Sequence, residues 1–181
     1  MKYKGEKGYI QYKKLTQSLV VLVFVAAGLS IFFICREILG TGRNLGTVFA
    51  VLLTLPAAKA LVNLLLFIPY QPIPEELSAK LNEVLLPTDK AYYEMVFTST
   101  ERVMHLDFLC VRGNQLIAYL INGKNTEKIT SYFEASLKKR GEDVHMHVFR
   151  KEEELLRRLK SCEGGEASEE VQEFVRMILV K

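Results

Sequence analysis

Residues 15–35 and 45–68 form two long apolar runs, and beyond Pro74 the pattern changes to short segments of helical or strand period. The first run has 21 residues and no charge. At a rise of about 1.5 Å per residue it measures roughly 30 Å, the thickness of a bilayer's hydrocarbon core. Residues 36–44, with Gly40 and Gly42, make a polar link suited to a tight turn between antiparallel helices. The second run then leads back, so the pattern predicts a two-helix transmembrane hairpin over 15–70. A secretory leader would share the basic start, but its apolar core is usually only about 7–15 residues long.

Three prolines in 69–74 cannot continue a helix and predict a stiff connector, assigned to 71–74. The α/β domain is expected over 75–181. Leu77, Leu81, Val84 and Leu85 predict a helix over 75–86 that stops before Pro87. Strands are expected over 92–99, 103–111 and 116–121, with a hairpin turn at 112–115; the third is almost wholly apolar, as a central strand would be. A helix capped by Asn125 or Thr126 turns Ile129, Tyr132, Phe133 and Leu137 inward, and Gly141 ends it. A fourth strand follows over 144–149. Two more helices come next, one opened by Glu152–Glu154 and one capped by Ser168. The order is helix, three strands, helix, strand, helix, helix, which implies a mixed sheet covered by helices.

Charge sharpens the division. Residues 1–70 hold eight Lys/Arg against two Asp/Glu, and residues 71–181 hold sixteen against nineteen. The basic character therefore belongs to the hairpin, and the acidic domain gives no sign of a nucleic-acid partner. Lysines 2, 4, 7, 13 and 14 precede the first run, which predicts a cytoplasmic N-terminal segment (1–14) and a multi-pass protein of the plasma membrane with both termini cytoplasmic. Cys35, Cys110 and Cys162 have no metal-like spacing and read as small apolar fillers.

Lys59 lies inside the second run, and neither run contains an acid. A lysine at such depth costs roughly 2.5–3.5 kcal/mol on insertion scales. Pro56 and Asn63 share its helical face. Lys59 could snorkel to headgroups, meet a carbonyl or acid on a partner subunit, or line a solute path. Ala26, Ala27, Gly28 and Ser30 in the first run, with Ala57, Ala58 and Ala60 in the second, favour close helix contact, within the hairpin or in a homo-oligomer.

Candidate chemistry comes from the strands. Asp107 lies in the second strand, and Asn122-Gly123-Lys124 follows the third. With the element order of 75–160, this resembles the restriction-endonuclease-like, or PD-(D/E)xK, nuclease superfamily. The resemblance implies a carboxylate at Asp107 and a lysine at Lys124 that act on a divalent metal and its water, with Asn122 in place of the family's second acid. His145 and His147 point to one strand face and could chelate zinc with help from His105, which shares a strand with Asp107. No phosphate-binding loop, nucleophile motif or cofactor signature is present in the sequence. The expectation is a membrane-anchored binding or scaffolding protein without a cofactor. The alternatives are a metal-dependent enzyme of degenerate nuclease fold, or an oligomeric transport accessory built around Lys59.

Overall fold

The computed structural model describes residues 3–41, 44–98, 103–121, 126–162 and 165–180. The chain divides into two compact units, Ile10–Gln71 on one side and Met1–Tyr9 with Pro72–Lys181 on the other.

The first unit is helical. Helix α1 spans Tyr9–Leu39, longer at both ends than the apolar run that predicted it. The second run, expected as one helix, is two segments, α2 (Leu45–Leu52) and α3 (Thr54–Phe67). Pro56 is the cause, since it has no N–H to offer the carbonyl of Leu52. Leu53 keeps right-handed helical angles, its N–H donates to Phe49 O, and the Thr54 hydroxyl donates to Val51 O at 2.6 Å. Helical bonds on either side of the step, Leu53 N–H to Phe49 O and Ala57 N–H to Leu53 O, carry the chain through it. α1 and Leu45–Phe67 are each long and apolar enough to cross a membrane.

Asn44 caps α2, its Oδ1 accepting the Thr47 N–H at 2.9 Å. At the other end Lys14 Nζ donates to Ile68 O (3.0 Å) and Tyr70 O (2.7 Å), so a cation closes the carboxyl end of the second arm. The contact face uses fewer small residues than the sequence suggested. Ala50, Ala57 and Ala60 are buried, and a Cβ on Gly28 would touch the Ala50 carbonyl and Leu53. Ala26, Ser30 and Ala58 face outward instead. The tightest approach is Gly46 to Cys35, where a Cβ would fall inside the cysteine side chain.

The second unit is an α/β sandwich. Its elements are α4 (Glu75–Val84), β1 (Lys90–Thr98), β2 (Val103–Arg112), β3 (Gln115–Tyr119), α5 (Thr126–Lys138), β4 (His145–Phe149), α6 (Glu152–Ser161) and α7 (Glu169–Val180). The sheet order is β1-β2-β3-β4, antiparallel except for the parallel β3–β4 pair that the α5 crossover requires. β3 is interior, as its apolar run implied. On one face Ile73, Leu77 and Leu81 meet Leu155 and Leu159 of α6 over Phe108, Cys110 and Ile117. On the other, α5 (Ile129, Phe133, Leu137) and α7 (Val171, Phe174, Val175) cover Leu106, Leu109, Leu116 and Met146.

Caps follow the sequence closely. Gly141, at φ +84°, ends α5: its N–H bonds Lys138 O and the Glu142 N–H bonds Leu137 O, the double closure that a left-handed residue permits. Ser168 Oγ accepts the Val171 N–H at the start of α7. Two differences matter. The first helix of this unit stops at Val84, because Leu85 is extended. Residues up to Tyr9, expected as a separate basic flank, belong to this unit, and Gly5 forms an antiparallel bridge with Tyr93 on the outer side of β1.

Candidate functional site

The unusual chemistry lies where β1 and β2 exchange faces. Ala91 and Tyr93 pack with α4 and α6, whereas Met95 and Phe97 pack with α5 and α7. β2 does the same: Phe108 and Cys110 join the first layer, Met104 and Leu106 the second. A regular strand sends residues two apart to the same face, so each strand slips by one position. The register survives, with Tyr93 opposite Phe108 and Met95 opposite Leu106. One residue from each strand, Glu94 and Asp107, therefore stands outside the pleat. Glu94 has φ +51°, a left-handed conformation that costs a side-chain-bearing residue roughly 1–2 kcal/mol.

Both residues are buried acids. Glu94 Oε1 accepts the N–H of Gly8 at 2.9 Å and of Ile73 at 3.3 Å. Gly8, at φ +78°, immediately precedes α1, and Ile73 lies in the segment that follows α3. One carboxylate thus holds the stretch entering the helical hairpin and the stretch leaving it. Asp107 Oδ2 accepts the Ile121 N–H at 2.7 Å, fixing the chain just past β3. Burial pushes the Asp107 carboxyl up to about 6, opposed by that hydrogen bond and reinforced by the neighbouring Glu94. His105 Nδ1 stands 3.7 Å from Asp107 Oδ1, and burial lowers its imidazole to about 4. The histidine is therefore neutral at pH 7, and the contact is not an ion pair. The side chains of Asp107 and His105 are only 5% and 11% exposed.

Asn122 and Lys124 lie outside the described residues. His145 is exposed and His147 half-buried on the outer strand β4, whereas His105 occupies the part of β2 beyond its pairing with β3. Burial, then Arg158, lowers the His147 pKa. Among the described residues no group of three or more His, Cys, Asp or Glu is placed to hold a metal. Burial pushes the Cys110 thiol up to about 12, which leaves it protonated. Pro56 is half-buried, while Lys59 and Asn63 are exposed on the outside of α3.

Three features escaped the sequence reading. Arg112, expected in a turn, is a fully buried member of β2: Nε and Nη2 grip Asp89 at 2.8 and 2.5 Å, while Nη1 caps α6 at Leu159 O and Cys162 O. Glu94 is the second, an acid within Tyr92-Tyr93-Glu94-Met95-Val96-Phe97 that marks the change of alternation. The third is a groove of about 390 Å³ along α5, lined by Thr126, Glu127, Thr130, Ser131, Glu134 and Val148. Three of its polar side chains are already engaged: Thr130 and Ser131 bond their own helix's carbonyls, and Glu134 takes the Met146 N–H from the sheet edge.

Comparison of the chain with protein-family models, with curated proteins and with solved structures gives no match in any of the three.

Proposed function

We propose that the protein is a two-span protein of the cytoplasmic membrane whose α/β unit is a binding or scaffolding module held at the inner face. The observation that carries this reading is the Glu94 carboxylate, which accepts hydrogen bonds from Gly8 before the hairpin and Ile73 after it. A unit that uses both flanks of the hairpin needs both on one side of the bilayer, which an even number of crossings supplies. The lysines at 2, 4, 7, 13 and 14 favour the cytoplasmic side. The buried acids serve as architecture: Glu94 anchors the hairpin's flanks and Asp107 the end of β3. The module therefore offers surface rather than a reactive cleft.

Impermeant thiol labelling in intact cells tests this, in a background lacking Cys35, Cys110 and Cys162. Gly42→Cys is expected to label, and Glu173→Cys to label only after permeabilisation. The reverse pattern overturns the orientation, and labelling of both in intact cells overturns the hairpin. For the binding role, a photo-crosslinker at exposed His145 or Met177 is expected to trap one discrete protein adduct in membranes. Diffuse or absent adducts from every exposed position of the unit would remove the scaffolding reading.

A further inference from the structure

We propose that Lys59 is the docking point for a second membrane protein, a transmembrane helix that carries an Asp or Glu at the depth of Lys59. The inference rests on the membrane reading and deepens it by naming the chemistry of one partner.

The argument starts from where the lysine points. Ala57 and Ala60 form the buried face of α3, and Lys59 lies on the exposed one. Around it, at helical spacing, are Leu55, Val62 and Leu66, all exposed, together with Asn63. The hairpin thus puts its ammonium on the face that meets lipid tails. It offers no internal counter-ion, because neither apolar run contains an acid.

Escape along the helix is poor. Lys59 is eight residues from the end of α3 at Phe67, about 12 Å along the axis, and about 21 Å from Leu45. An extended lysine stem reaches roughly 6 Å. The Cα–Cβ bond of a helical residue tilts toward the helix N-terminus, so the stem sets out toward the more distant boundary. Snorkelling toward the nearer headgroups has to reverse that direction and still falls short. A second copy in the same orientation would bring two ammonium groups to one depth, which repel. An acid on another helix matches the charge, and in hydrocarbon such a pair gains the desolvated attraction that each ion alone lacks. Asn63, one turn away on the same exposed face, supplies a further hydrogen-bonding group.

The test uses the full-length protein in phosphatidylcholine vesicles, with incorporation checked by flotation. The probe is a Leu/Ala transmembrane peptide with one aspartate about nine residues from one end, against a control with leucine there. Energy transfer between labelled protein and peptide is expected to give at least tenfold tighter association for the aspartate peptide. Lys59→Leu, which makes the span more apolar and so preserves insertion, is expected to erase that preference, and Lys59→Arg to keep it. Equal binding of the two peptides, or a preference untouched by Lys59→Leu, overturns the proposal while leaving the membrane reading in place. Lys59-dependent self-association without peptide, or Lys59-dependent preference for anionic over zwitterionic lipid, overturns it in favour of a second copy or a headgroup. A protein that does not float with the vesicles removes the membrane reading, and this proposal with it.

Discussion

In the α/β unit Arg112, Glu94 and Asp107 are each surrounded by hydrogen-bonding partners, whereas in the helical hairpin Lys59 stands on an apolar outer face. On the membrane reading proposed above, the difference follows from the solvent each unit faces. A domain in water keeps a charge out of water only where its own groups replace the hydration, since an unpaired buried ion costs several kcal/mol. In the proposed membrane reading the hairpin has no hydration outside to begin with, which is why the outward charge is there assigned to another molecule. Lys14 shows the contrast within one unit, because near the end of the hairpin it reaches the carbonyls of Ile68 and Tyr70.

The strongest way to break the comparison is at Arg112. Arg112→Leu leaves Asp89 buried without its cation and uncaps α6, and is expected to cost about 3–5 kcal/mol. The double variant with Asp89→Leu should recover part of that. Chemical denaturation of the full chain in detergent, followed by proteolysis, reads both. A double variant worse than the single one would show that the pair itself, and not the orphaned acid, carries the energy.

A second test concerns pH. Asp107 is raised from its ordinary 3.8 to about 6, so it favours the folded state at low pH and loses that contribution as pH climbs from about 4 through 6. His105 is lowered from 6.5 to about 4, so its contribution is whole above 6.5 and is lost as pH falls toward 4. The two slopes oppose each other, and the wild type is expected to change little across this window on their account. His105→Phe should uncover a fall in stability with rising pH between 4 and 6, on the order of 2–3 kcal/mol. Asp107→Asn should uncover the opposite slope. Melting temperatures at half-unit pH steps decide, and parallel profiles for all three proteins would contradict the assignment.

The smallest effect is expected at Glu94. Glu94→Ala leaves the Gly8 and Ile73 N–H groups without their acceptor, at about 1–3 kcal/mol, while Glu94→Gln retains an oxygen for them. Amide hydrogen exchange should speed up at those two residues in the alanine variant and much less in the glutamine variant. Unchanged exchange in both would mean that the flanks are held by something other than this carboxylate.

Local chemistry was legible wherever one residue or one short pattern suffices. The first apolar run announced one long helix, while the second, with Pro56 inside it, became two segments; Gly141 announced the left-handed end of α5, Ser168 the start of α7, and the apolar run 116–121 the interior strand. The element order of the α/β unit followed, because periodicity and turn residues are properties of neighbouring positions. What pairs distant residues was not legible. Arg112 read as a turn residue, and only the packing of β2 under α6 joins it to Asp89, 23 positions away, as a buried ion pair. Asp107 stood out as an acid in an apolar strand with His105 two positions away, yet its neighbour Glu94 and its bond to Ile121 arise from pairing between strands. Gly8 and Ile73 lie on opposite sides of the hairpin in the chain and meet at Glu94 only after the sheet has formed. Sequence determines which segments are helix or strand and which faces are apolar, since those are decided within a few residues. Tertiary structure decides which buried charges are matched, because a matching partner is set by distance in space and not by distance along the chain.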